Sequence, residues 1–340
     1  MKMKGVKIKM NDKFLIEYNG KSIETKNWLP VTENELKQYR EEYYKKPSLN
    51  VVQKQMRKIT NDGVMIDKIT RYYFRELMAQ TQLSTAKWTV EDVFNSPDLC
   101  GIFKAKVLNS PKVFKPTDSM GYSIERAIAL GGKGYAKVPT QFPFKAVNYI
   151  LSHYNINNNM FDFSCGWGSR LLGALKYNIN YYGTDPNYKL CNKLEELTTD
   201  YKQIIKRNNI IDIRSIGSEI FIPEWENKMG LCFSSPPYFS LEDYKYGNQS
   251  WKNGIDYTQW LNNYLYPTLD NIIKYLINDG ILAINIKDTN VPIATDVNKY
   301  LKNKLLYIDT VPLKNIKRLK STGGLTDTTD EGIYIYRKES

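Results

Sequence analysis

Histidine is almost missing from this chain: His153 is the only one among 340 residues. That scarcity removes Ser-His-Asp hydrolases, Cys-His proteases and His-ligated metal enzymes, so any chemistry here runs without an imidazole base. His153 follows an apolar helical stretch and reads as structural. Cysteine is scarce as well. Cys100, Cys165, Cys191 and Cys232 stand far apart with no Cys-x-x-Cys pair, which argues against a zinc site or a disulfide framework. No metal is expected. No apolar run approaches the ~20 residues that span a bilayer. The Met1-Lys-Met-Lys start carries charge but no apolar segment behind it. A cytoplasmic protein without a membrane partner is the expectation.

What is present is basic and aromatic. The formal charge is +12, and 26 tyrosines dominate an aromatic fraction of 13%. A basic surface suits a polyanion, because neutralising phosphates releases condensed counterions. Lysine kept for solubility, or an AT-rich genome, gives the same composition, so charge favours nucleic acid without requiring it. At 42% hydrophobic residues the chain can bury a core, and its length suits two domains.

From residue 136 onward, short β-like runs alternate with longer helical ones. Met160–Phe163, Tyr181–Thr184, Ile210–Ile216, Met229–Phe233 and Gly280–Ile286 read as buried strands. Pro143–Tyr154, Arg170–Tyr177, Asn187–Lys206 and Tyr257–Asn278 read as helices, with Leu305–Thr310 and Ile333–Tyr336 as a closing antiparallel pair. Such alternation predicts an α/β, doubly wound, mostly parallel sheet. Residues 1–135 differ. After a β-like start over Val6–Tyr18, the stretches Glu33–Tyr44, Val51–Lys58 and Ile66–Gln80 read as charged helices. Thr89 caps a further helix over Val90–Phe94, which Asn95-Ser-Pro97 breaks. The expectation is a mainly helical accessory domain, joined through Gly131-Gly-Lys-Gly134.

Asp162-Phe163-Ser164-Cys165-Gly166-Trp167-Gly168 fits a strand leaving into a turn and then a helix. Gly166 and Gly168 let backbone approach a ligand that a Cβ would block, and Asp162 is placed to hold an ammonium group. An ordinary structural turn would use the same glycines. Tyr182-Gly-Thr-Asp185 ends the next strand in a carboxylate about twenty residues on, where it accepts from both ribose hydroxyls. A helix cap is the plainer use of Asp185. The two signals in register favour a nucleoside, and the missing third glycine argues against a dinucleotide.

Ser235-Pro236-Pro237-Tyr238 closes an apolar strand. Proline fixes φ and removes donors, so Ser235 and Pro236 offer acceptors to the two hydrogens of an exocyclic amine. Tyr238 is placed to stack on the base. No strong base is needed, since the alkylated nitrogen becomes acidic.

The glycine turn resembles motif I of class I S-adenosylmethionine-dependent methyltransferases, and Gly183-Thr-Asp-Pro-Asn187 resembles their motif II. Ser-Pro-Pro-Tyr resembles the motif of DNA amino-methyltransferases acting on cytosine N4 or adenine N6, nearest in style to phage-like enzymes. The resemblance runs from Pro139 to the C-terminus. It implies a seven-stranded class I methyltransferase sheet, S-adenosylmethionine as cofactor, DNA as partner, and a bacterial or phage-infected cytoplasm. It implies cofactor contacts from Asp162, Phe163, Ser164, Gly166, Trp167, Gly168, Asp185 and Asn187. Ser218 stands where an acidic residue is common, with Glu219 beside it, and the adenine contact stays open. Thr140, at a helix entry, is implied for the methionine carboxylate. Ser235, Pro236, Pro237 and Tyr238 carry the target base. No Pro-Cys nucleophile exists for C5-cytosine methylation.

A base in a duplex must flip out to reach such a pocket. Phe239–Gly254 reads as a loop closing over it, with Lys245 and Lys252 near phosphate, or as a plain surface loop. A basic insertion near 312–330 carries Lys314, Lys317, Arg318 and Lys320, expected to contact nucleic acid. Two other readings stay open: an RNA base methyltransferase, and a non-catalytic nucleic-acid-binding subunit on the same scaffold.

Overall fold

The computed structural model describes residues 6–9, 13–61, 63, 65–109, 128, 134–154, 158–245, 248–252, 254–313 and 331–339. Strands β1 (Val6–Lys9), β2 (Lys13–Tyr18) and β3 (Lys21–Thr25) pair antiparallel in that order. Asn19 and Gly20 both take positive φ, 48° and 73°, as a two-residue hairpin turn requires. The expected β-like start is therefore one strand longer, and the accessory region is not helical throughout.

Helices α1 (Glu33–Tyr44), α2 (Leu49–Asn61) and α3 (Asp67–Gln80) follow. Thr32 starts α1 with a capping box to Glu35, and Thr89 starts α4 (Val90–Asn95) with one to Asp92. The expected break at Asn95-Ser-Pro proves to be a second start. Ser96 accepts from the Leu99 N–H and Pro97 opens α5 (Pro97–Leu108), where its missing donor costs nothing. Between α3 and α4 lies the short strand β4 (Gln82–Leu83).

The chain divides into two compact units, and a single boundary near 135 does not describe them. One unit comprises Met1–Lys46, Arg75–Thr140 and Leu241–Lys245; the other comprises Pro47–Phe74, Gln141–Ser240 and Tyr246–Ser340. The first centres on Trp28, Tyr43, Trp88, Phe94, Phe103 and Tyr135. Residues 47–74 go with the second because of what they touch there. The Thr60 hydroxyl meets the Tyr201 hydroxyl at 2.8 Å, and the Tyr73 hydroxyl donates to Asp200 at 2.6 Å.

The second unit is built on α6 (Phe144–Tyr154), β5 (Asn159–Asp162), α7 (Ser169–Tyr177), β6 (Asn180–Thr184), α8 (Tyr188–Ile205), β7 (Ile211–Arg214) and β8 (Met229–Ser234). After β9 (Glu242–Asp243), which belongs to the first unit, come α9 (Tyr257–Trp260), a π-helical turn over Leu261–Leu265 and α10 (Tyr266–Tyr275). Strands β10 (Leu276–Ile286), β11 (Leu306–Pro312) and β12 (Gly332–Arg337), with α11 (Ile293–Leu301) after β10, complete it. The long helix expected over Tyr257–Asn278 is thus interrupted and ends earlier, and α11 was not expected.

The seven strands lie in the order β11-β12-β10-β8-β5-β6-β7, parallel except for β12, which runs antiparallel to both neighbours. The doubly wound, mostly parallel sheet expected from the sequence is present. All six β8 residues are buried, as for a strand covered on both faces. Strand order reverses beside β5, which has β6 on one side and β8 on the other. A ligand crevice in this architecture opens there, at the carboxyl ends of the strands.

Candidate active site

Asp162 ends β5 and is completely buried. Its Oδ2 accepts from Arg170 Nε at 2.9 Å and from the Tyr181 hydroxyl at 2.8 Å. Its Oδ1 accepts from the Ser234 hydroxyl at 2.7 Å and from the Ser164 N–H at 3.3 Å. A carboxylate has about four lone-pair sites, so Asp162 is saturated. Its expected role of holding a ligand ammonium is corrected: the charge is already neutralised by a buried arginine inside the fold.

Arg170 was not among the expected site residues. It also donates from Nη2 to the Ser164 carbonyl and lies 5.3 Å from the centre of the Phe142 ring. A cation within the apolar run Arg170-Leu-Leu of α7 was the available signal. With Ser234, it shapes the turn that follows β5. Ser164 keeps a half-buried place in that turn, its hydroxyl bonded to the Phe163 carbonyl at 2.6 Å. Phe163 itself is 2% exposed and packs in the core of the sheet unit.

Both glycines of the turn have positive φ, 53° at Gly166 and 74° at Gly168. At Gly168 a Cβ would come within 3.1–3.3 Å of Leu194, Phe74 and Leu197, so close packing requires glycine as much as conformation does. The Trp167 side chain is 9% exposed and tilted against Phe74, and its carbonyl accepts from Gln141 Nε2 at 3.1 Å. The neighbouring Thr140 is exposed. Gln141 reaches this turn.

Asp185, at the tip of β6, is half-buried and only partly occupied. Oδ1 accepts from the Asn187 N–H at 3.0 Å and Oδ2 from the Gly166 N–H at 3.4 Å. Each oxygen retains an acceptor site, as a pair of ribose hydroxyls needs. Burial pushes the Asp185 carboxyl up to about 6. The Asn187 side chain caps α8, accepting from the Lys189 and Leu190 N–H groups.

On the β7 side, Ser218 is buried against α10, its hydroxyl 2.9 Å from that of Thr268. Glu219 beside it differs. Its Oε2 is buried without a hydrogen-bond partner, and burial raises its pKa. The Tyr264 hydroxyl, within the π-helical turn, lies near Ser164 and Ser218, with the Asp185 and Glu219 charges nearby. Burial raises that hydroxyl's pKa above the usual tyrosine range.

On the other side of β5, Ser234 is committed to Asp162, and Ser235-Pro-Pro-Tyr238 begins one residue further on. Ser235, Pro237 and Tyr238 are half-buried and Pro236 is buried. The Tyr238 hydroxyl reaches the Asn285 carbonyl at 3.4 Å, and its ring lies against the sheet core. Lys245 is ion-paired with Asp243 at 2.8 Å in the first unit, whereas Lys252 belongs to the second. Lys314, Lys317, Arg318 and Lys320 lie outside the described residues. Among the described residues no group of His, Cys, Asp or Glu could hold a metal, and no helix is long and apolar enough to cross a membrane.

Antiparallel β12 is set between β10 and β11 at one end of the sheet. No protein-family model matches the chain, and no curated protein matches it. Solved structures do. The N-methyltransferase NodS from Bradyrhizobium japonicum matches at 16% identity over 58% of this chain and 94% of its own, TM-score 0.38. A TehB-like SAM-dependent methyltransferase from Corynebacterium glutamicum matches at 14% identity over 63% and 94%, TM-score 0.40. An rRNA methylase from Streptococcus thermophilus matches at 12% identity over 57% and 95%, TM-score 0.36.

Proposed function

We propose that this protein is a methyltransferase that uses S-adenosylmethionine to methylate the exocyclic amine of a flipped-out DNA base, cytosine N4 or adenine N6. The observation that carries the reading is the pairing of two half-open sites across one strand. Asp185 and the glycine turn stand on one side of the β5 tip, and Ser235-Pro-Pro-Tyr238 stands on the other. Between them Asp162 ties the turn to the strand that carries the tetrapeptide.

The residues fit a nucleoside sulfonium in two respects. Asp185 has an acceptor left on each oxygen for the ribose. The orphaned Glu219 Oε2 offers an acceptor to an adenine amino group, which would satisfy an atom otherwise buried without a partner. When bound, the cofactor supplies an electrophilic methyl group. Ser235 and the Pro236 carbonyl accept the two hydrogens of the target amine and turn its lone pair toward that carbon. The bound cofactor would thus supply the methyl group as its S–C bond breaks and the N–C bond forms, and the acidified nitrogen would release its proton to water. No histidine is called for.

Digesting DNA from cells that express the protein to nucleosides, followed by mass spectrometry, tests this reading and separates methyladenine from methylcytosine. Methylation of RNA alone in a parallel incubation would replace DNA as the substrate, and no cofactor binding by calorimetry would leave only a nucleic-acid-binding scaffold. Ser235→Ala should cut turnover about tenfold or more while cofactor affinity changes little, since one orienting acceptor is lost.

A further inference from the structure

The chain through α10 carries two buried stripes where a helix lying on a sheet needs one. Leu265, Leu269, Ile272 and Leu276 recur at helical spacing, are fully buried, and pack into the core of the sheet unit. Beside them runs a second row, Tyr264, Thr268, Asn271 and Tyr275, spaced i, i+4, i+7 and i+11. Each of these carries a polar group, and none is more than 6% exposed. Buried polar groups need partners. This row finds them in one short stretch between β7 and β8, residues 217–222, which belongs to the same unit.

The Thr268 hydroxyl stands 2.9 Å from that of Ser218, and Asn271 Nδ2 donates to the Ser218 carbonyl at 3.0 Å. Further along, the Tyr275 hydroxyl accepts from the Ile222 N–H at 2.7 Å, and its ring stacks on Phe221 with centres 5.5 Å apart. Within the stretch, the Ile220 N–H donates to the Gly217 carbonyl at 3.2 Å and closes a turn. Both ends are thus pinned to one helix, and Glu219 lies between the pins. Its carboxyl group folds back over Gly217, where a Cβ would stand 2.2–2.5 Å from the carboxyl atoms. Glycine leaves the space that this carboxyl group occupies. One of its oxygens, Oε2, is buried without a hydrogen-bond partner.

We propose that Gly217, Thr268 and Asn271 are positioning residues that aim Glu219 Oε2 at the amino group of the cofactor's adenine. They make the site select an amino purine nucleoside over a keto one. The inference rests on the methyl-transfer reading above and assigns the residues that set its choice of nucleoside. A stretch already pinned loses little freedom when a ligand arrives. An amino group gives the buried oxygen its missing donor, whereas a purine carbonyl would set two acceptors face to face.

Two ligands that differ at this one group test the proposal: S-adenosylhomocysteine, and its inosine counterpart with a carbonyl in place of the amino group. By calorimetry the wild type should bind the adenosine form at least about tenfold more tightly. Gly217→Ala is the first variant. Gly217 does not take positive φ, so alanine suits its backbone, and its new Cβ meets only the tip of a flexible side chain. The fold should persist while the carboxyl group is displaced. The preference should then fall below about threefold, with the inosine form bound about as well as by wild type. Thr268→Val removes one pin and should also lower the preference, whereas Thr268→Ser keeps the hydroxyl and should retain it. A merely structural role would weaken both ligands alike. A wild type without preference, a preference that survives Gly217→Ala, or equal losses for both ligands in Thr268→Val overturns the inference. A wild type that binds neither ligand overturns the methyl-transfer reading instead.

Discussion

Two aspartates end neighbouring parallel strands, and the fold uses them in opposite ways. Asp162, at the tip of β5, is fully buried with four donors on its two oxygens. Asp185, at the tip of β6, is half-buried with one backbone N–H on each oxygen. The first has nothing left to give a ligand and the second has. In a doubly wound sheet both positions face the crevice, so position alone does not make a carboxylate a ligand seat. The donors contributed by the rest of the chain decide it.

The comparison breaks most sharply if Asp162 is removed. Asp162→Ala leaves the Arg170 guanidinium, 4% exposed, without its carboxylate. Stranding one member of a buried pair costs about 3–5 kcal/mol. Chemical denaturation should show a loss of that size, and a loss below about 1 kcal/mol would mean that the lock is not what holds the turn. At Asp185 the effect should fall on the ligand. On the proposed reading, Asp185→Ala would remove two charge-assisted acceptors from the ribose, about 2–3 kcal/mol, or roughly 30- to 150-fold in cofactor affinity by calorimetry. Stability should change by less than about 1 kcal/mol, because lost hydrogen bonds are offset by relief of a desolvated charge.

The same desolvation sets a pH dependence. Burial raises Asp185 from 3.8 to about 6, so the folded state holds its proton more tightly than the unfolded chain. The sign follows: ionising this group opposes folding, with the penalty absent below the unfolded value and complete above about 6. Ligand binding runs the other way, since the ionised form is the better acceptor. At pH 5 only about one-tenth of the group is ionised if its pKa is near 6, so cofactor affinity should be up to about tenfold weaker than at pH 7.5. Asp185→Ala should flatten that profile. A wild-type affinity constant from pH 5 to 7.5 would remove the ionised carboxylate from the site.

Much of this was legible in the chain, and the limits are physical. The parallel strands are apolar runs buried on both faces, so they stand out whatever packs on them. Helix α1 was readable to its end residues because Thr32 and Glu35 form a local capping box. The placement of the Asp185 carboxylate at a strand tip was readable because its backbone partners, Gly166 and Asn187, sit in the adjoining turn and helix start. The occupation of Asp162 was not, because its donors come from 8, 19 and 72 residues away as well as from its own turn. Neither was the β4–β9 pair, since two-residue strands carry no periodicity. The assignment of α2 to the sheet unit depends on tertiary partners such as Tyr201, which an amphipathic pattern does not name.

The smallest expected effect sharpens the boundary of the Asp185 seat. Asn187 lies two residues on, and only its backbone N–H touches the carboxylate, at 3.0 Å. Its side chain is spent on α8, accepting at 3.1 and 3.3 Å from the first helical N–H groups. Asn187→Ala keeps the first bond and loses the cap, which costs about 1 kcal/mol. Cofactor affinity should move less than twofold while thermal stability drops by a few degrees. An affinity loss approaching that of Asp185→Ala would extend the seat to the Asn187 amide. The contrast between a carboxylate that binds and a cap that only supports would then shift by two residues along the chain.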